Sequence, residues 1–162
     1  MRTRTVGEPK FVRSPEAAWL AGLPIDRLRD WQRRGVVLPQ LSPPGRGRQP
    51  KYSWKSILLL RMAVILRDRF KLELSALGYQ FFELSNVLSD TEFASLWGKY
   101  LTLDSGEHWI LADPRENIIP TTEGLLIRLD PHLQILSEAF FPPSSQRPTP
   151  ASRDIRSYTS MA

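Results

Sequence analysis

The chain contains no cysteine, so disulfides and thiolate metal sites are excluded. Histidine is scarce as well. His108 and His132 are the only two, and their acidic neighbours Asp104, Glu107 and Asp113 follow no metal-ligand spacing. A long apolar run is missing: the most apolar stretch, Ile57 to Leu66, is about ten residues and carries Arg61, too short and too polar to span a bilayer. The start lacks a secretory h-region, and a cytoplasmic location is expected. No glycine-rich phosphate cradle is present, and neither Ser105 nor Ser137 sits in a nucleophile elbow. These absences speak against an enzyme and against a bound cofactor or metal.

What the chain does have is lopsided charge. Residues 1–69 hold 15 Lys/Arg against 5 Asp/Glu, a balance of +10, whereas residues 70–162 hold 7 against 12, a balance of −5. Together these account for the 22 basic and 17 acidic residues of the whole chain. A basic half joined to an acidic half fits a polyanion-binding module attached to something else. The 162 residues, with 41% apolar side chains, suffice for one domain or for a small domain with an appendage.

The basic half is ordered in a telling way. Residues 1–10 read as a flexible basic arm. Ser14-Pro15-Glu16 is a helix start, with serine as the cap, proline in the first turn and an acid at the positive dipole end. Ala17 to Ala21 continue this two-turn helix, and Gly22 can take the left-handed conformation that ends it. A second helix opens near Pro24 or Asp26 and stops at Gly35. Its Leu28 and Trp31 share a face and are expected to pack on Trp19, Leu20 and Leu23, while Arg27, Arg29, Asp30, Arg33 and Arg34 occupy the other faces. Val36 to Leu38 read as a strand, and Pro39 to Pro50, with four prolines and two glycines, as a loop. Lys51-Tyr52 then returns as a second strand, completing a basic wing. Helical patterns follow from Ser53 to about Arg69 and from Leu72 to Leu88, the latter apolar almost all round.

The order of elements over residues 11–69 resembles the DNA-binding domain of MerR-type regulators. The resemblance rests on Ala21-Gly22-Leu23, Leu28-Arg29, Trp31, Arg33-Arg34-Gly35-Val36 and the wing-closing Tyr52-Ser53. It departs at Pro50, where the family often carries arginine, and in lacking an evident long C-terminal dimerisation helix. It implies a mostly α winged helix-turn-helix, α-α-β-β-α-α, binding double-stranded DNA as a homodimer. Independently of the family, guanidinium groups on a protruding helix can grip phosphates or the O6 and N7 of guanine. The expected DNA-contacting set is Arg27, Arg29, Asp30, Arg33 and Arg34 on the helix, with Asp30 orienting an arginine, and Arg46, Arg48, Lys51 and Tyr52 on the wing. Stacking of single-stranded bases on Trp19, Trp31 or Trp54 is the weaker alternative, since all three stand at core or helix-start positions.

The organisation expected is an arm over 1–10, a winged helix-turn-helix over 11–70, an apolar connecting or dimerisation helix over 71–89, a small α+β interaction or sensor region over 90–141, and a disordered Pro/Ser-rich tail over 142–162. Within the α+β region, Leu101 to Leu111 reads as a hairpin around Asp104-Ser105-Gly106. Leu125 to Leu129 and Leu133 to Leu136 read as a further pair of strands, the second open to a helical reading. Trp97, Tyr100, Trp109, Phe140 and Phe141 would line a ligand pocket or form this region's core. The layout also has a faint likeness to MerR-like antitoxins, whose C-terminal half would bind and neutralise a partner protein.

Overall fold

In the computed structural model, residues 10–35, 49–104, 108–116 and 123–143 are described. Strand β1 (Val12–Arg13) runs directly into helix α1 (Ser14–Ala21). Pro15 and Glu16 occupy the first turn as expected, but Ser14 lies inside the helix and caps nothing; Arg13 holds the capping position with an extended backbone and no side-chain bond. The physical reason is the strand, whose extended residue already terminates the helix. Helix α1 closes at Gly22 (φ 75°), where the Gly22 N–H donates to Trp19 O and the Leu23 N–H donates to Ala18 O. This six-to-one and five-to-two pair is the glycine-ended stop that residues 21–23 anticipate.

Helix α2 (Ile25–Arg33) follows after Pro24 and ends before Gly35 (φ 67°). Strand β2 (Lys51–Tyr52) does not need residues 36–38 to find a described partner: it pairs antiparallel with β1, Val12 opposite Tyr52 and Arg13 opposite Lys51. Val36 to Leu38 and the loop bearing Arg46 and Arg48 lie outside the described residues. The strand before the first helix carries no periodic signal, being two residues long, and so escapes sequence reading.

Helix α3 (Trp54–Asp68) is the trunk. Ser53 caps it, its hydroxyl accepting from the Ser56 N–H, and Ile57, Leu58, Leu59, Leu60, Met62, Ala63 and Leu66 are all buried. So broad a buried surface needs neighbours on several sides. Helix α3 contacts α1 and β2 as well as two later helices, α4 (Gly78–Ser89) and α5 (Asp130–Phe140). The expected single helix over residues 72–88 is instead a 3-10 turn, Leu74–Leu77, breaking into α4 at Gly78. Phe81, Leu84 and Leu88 of α4 are buried, yet Tyr79 and Phe82 are 62% and 64% exposed, so the helix is covered on one side only.

Strands β3 (Tyr100–Asp104), β4 (Trp109–Ala112) and β5 (Gly124–Arg128) make an antiparallel sheet in the order β4-β3-β5. The hairpin expected over 101–111 is present, with Leu103 opposite Trp109, while residues 105–107 lie outside the described residues. Leu133 to Leu136 belong to α5, which settles the open reading in favour of helix: Asp130-Pro131 starts it, and Leu133, Leu136 and Phe140 return at helical spacing to the core. One apolar cluster runs from Val12 to Phe140. Among the described residues the molecule is mostly helical, with two small antiparallel sheets.

Candidate nucleic-acid interface

The outward face of α2 is built by the apolar face opposite. Leu28 is fully buried and Trp31 nearly so, which anchors the helix against α1. This leaves the arginines turned away from the core: the side chains of Arg29, Arg33 and Arg34 are 61%, 78% and 70% exposed. Asp30 serves as a fork between two of them, with Arg33 Nη2 at 3.6 Å from Oδ1 and Arg34 Nε at 3.1 Å from Oδ2. Asp26 pairs in the same way with Arg29 at 3.5 Å. Exposed pairs of this kind contribute little to stability, about 0–1 kcal/mol each. They hold long side chains in a restricted set of directions.

Arg27 is half-buried and lies at the back of α2. Together with Asp30, Trp31 and Arg34 it lines a cleft of about 440 Å³, closed on the other side by Arg67 of α3 and the Leu72–Ser75 segment. Arg67 was not among the residues that the sequence pointed to, because it falls on α3 rather than on the two-helix unit.

The β1–β2 ribbon adds a second basic element. Lys51 is exposed, and directly opposite it stands Arg13, also exposed. Like charges facing each other across two strands repel. A pair of cations kept in that position favours an anion between or beside them. The partnership of Arg13 with Lys51 depends on a strand pairing that sequence alone does not reveal. Tyr52 is a correction: it has no accessible surface and belongs to the core, so its side chain offers nothing to a ligand on the outside. Burial raises the pKa of its hydroxyl, a shift that the neighbouring Ser14 hydroxyl only partly offsets. Arg46 and Arg48 lie outside the described residues.

The tryptophans divide. Trp31 is buried and Trp54 half-buried with its ring edge-on to Phe93 at 5.1 Å. Trp19, expected in the core, is 77% exposed on α1. The reason is geometric: Ala17, Ala18, Leu20 and Ala21 already supply the buried face of that two-turn helix, leaving position 19 outside. Farther along the chain, Trp109 and Phe140 are buried, and Phe141 packs on Phe93 with ring centres 4.7 Å apart. His108 lies 3.5 Å from Glu83, and His132 sits on α5 with its Nδ1 accepting from Arg61 Nε at 2.9 Å. Among the described residues no group of three His, Asp or Glu side chains is placed to hold a metal ion, and no helix is long and apolar enough to cross a membrane.

Residues 12–77 match the family described as MerR HTH family regulatory protein. No curated protein matches the chain. The N-terminal part of this protein is a MerR-type helix-turn-helix domain, and that domain supports a DNA-binding regulator broadly.

Proposed function

We propose that this protein is a sequence-specific transcriptional regulator that places α2 in a DNA major groove and rests the β1–β2 ribbon, with the wing residues Arg46 and Arg48, on the flanking backbone. The observation that carries this reading is the outward arginine set of α2, held in place by two aspartates and turned away from the core. Arg29, Arg33 and Arg34 supply paired N–H donors for guanine edges or phosphates, and Asp30 orients two of them. Lys51 and Arg13 contribute charge without base information. Arg27 and Arg67 bracket the cleft behind the helix and would meet backbone at the groove edge.

A single copy offers a small footprint. Binding as a homodimer to a two-fold-related site doubles the contact area, with half-sites about one helical turn or a multiple apart. The protein would then act in the cytoplasm, at the nucleoid.

Selection of bound sequences from random double-stranded DNA, followed by fluorescence anisotropy on the selected site, tests the reading. If each copy neutralises on the order of four phosphates, the affinity of a dimer falls with a log–log salt slope of roughly −7. R33A and R34A should each weaken binding by about 1–3 kcal/mol where they read a base, or flatten the salt slope by about one where they hold phosphate. Their exposure leaves the fold intact in either case. Failure to select any sequence, together with no anisotropy change at low salt, would end the proposal.

A further inference from the structure

Away from α2, helices α1, α3 and α5 enclose a groove of about 510 Å³, within the size range of small-molecule sites. Its lining is unusual in one respect. Arg61, half-buried on α3, presents a guanidinium that pairs with no carboxylate among the described residues. Its Nε donates to His132 Nδ1 at 2.9 Å and its Nη1 donates to the Leu20 carbonyl. Both acceptors are neutral: a carbonyl is uncharged, and His132 has its pKa pushed down to about 4 by burial and by the nearby cations Arg61 and Arg69. Among the described residues two acceptors meet the five N–H groups of this guanidinium, and no carboxylate forms an ion pair with it. Taking a charge out of water without a partner is costly.

The rest of the groove is suited to an apolar body. Trp19, 77% exposed, stands on one side, and Ile135 and Leu20 line it as well. A single exposed indole is unremarkable by itself. Here it lines the same groove as Arg61, a cation with no ion-pair partner among the described residues. The remaining charges are on exposed residues: Lys10, which donates to the Ala139 carbonyl, and Glu16 and Glu138, neither of which pairs with Arg61. Glu138 instead accepts from the Gln134 amide at 2.9 Å.

We infer that this groove binds a small monocarboxylate with an apolar tail, the carboxylate meeting Arg61 and the tail lying between Trp19 and Ile135. The carboxylate takes up the guanidinium N–H groups left by His132 and Leu20. A neutral ligand of the same shape gains the apolar contacts alone. A cationic one meets Arg61 with like charge. Dicarboxylates are disfavoured, since Glu16 and Glu138 line the same groove. The inference is independent of DNA binding, because no residue of α2 lines the groove.

Isothermal calorimetry on the full chain with octanoate, octan-1-ol and octylamine tests it. Octanoate should bind saturably in the micromolar-to-millimolar range, at least tenfold more tightly than octanol, and octylamine should not bind. R61Q should erase the preference for octanoate over octanol. Because Arg61 is half-buried, two exposed positions provide checks that do not strain the fold. W19A should weaken octanoate and octanol alike by several fold, and E138Q should tighten octanoate about two- to threefold while leaving octanol unchanged. Equal affinity for octanoate and octanol would overturn the inference, as would the absence of saturable octanoate binding. Octanoate binding unmoved by both W19A and E138Q would overturn it too, by placing the site elsewhere.

Discussion

Tyr52 has no accessible surface, and its hydroxyl is buried without a well-formed hydrogen bond. A buried hydroxyl left in that condition costs about 1–3 kcal/mol, which its ring must outweigh through packing. Y52F is therefore expected to be neutral or stabilising, raising the thermal midpoint or leaving it unchanged, whereas Y52A should lose about 3–5 kcal/mol in chemical denaturation. DNA affinity of Y52F should equal that of the parent; a tenfold loss in a folded Y52F protein would return the hydroxyl to the DNA surface. The same scale shows why side-chain roles were only partly legible. Leu28 and Trp31 announced their burial by spacing, and Gly22 announced its turn. Trp19 and Tyr52 exchanged expected places, since a large aromatic residue in a two-turn helix or a two-residue strand has too few neighbours in sequence to define an inward side.

At the scale of elements, the C-terminal sheet depends on a close approach at Gly124. It pairs with Asp104, and a Cβ built there would stand 2.3 Å from the Leu103 carbonyl oxygen and 2.9 Å from the Asp104 Cα. Both obstacles are backbone, so neither can rotate away. G124A should separate β5 from β3 locally and cost on the order of 2–4 kcal/mol, read as a lower denaturation midpoint. A loss under about 0.5 kcal/mol would mean that the strands slide apart freely. Element boundaries were legible where chemistry punctuates the chain: Ser53 before α3 and the glycine after α1. They were illegible where packing alone decides. Leu72 to Leu88 carries a continuous helical pattern, yet the chain tightens to a 3-10 turn before Gly78.

At the scale of the molecule, the bond from Arg61 to His132 joins α3 of the helix-turn-helix domain to α5 at the other end of the chain. The folded protein keeps His132 neutral, with a pKa of about 4 against an ordinary 6.5. Burial is the main cause, and repulsion from Arg61 and Arg69 adds to it. Because the folded pKa is the lower one, the unfolded chain takes up the extra proton between the two values. The contribution of this group to stability is complete above about pH 6.5, declines as pH falls towards 4, and declines no further below that. Thermal midpoints measured from pH 7.5 to 4.5 should fall more steeply for the parent than for H132Q, which retains an acceptor for Arg61 but does not titrate. Parallel slopes would show that His132 is not desolvated. None of this was visible in sequence: the spacing of 71 residues between Arg61 and His132 carries no local pattern, and His132 read as an isolated histidine. The basic-to-acidic division of the chain was visible, and with it the kind of ligand the N-terminal part takes.

The recognisable family segment stops at residue 77, but the trunk helix inside it is roofed by α4 and α5, which lie beyond that limit. A chimera that transplanted only the family segment onto another regulator would leave the leucines of α3 bare and ready to aggregate. In this chain the helix-turn-helix unit has no severable neck, and a cut after residue 77 would part α3 from the helices that cover it.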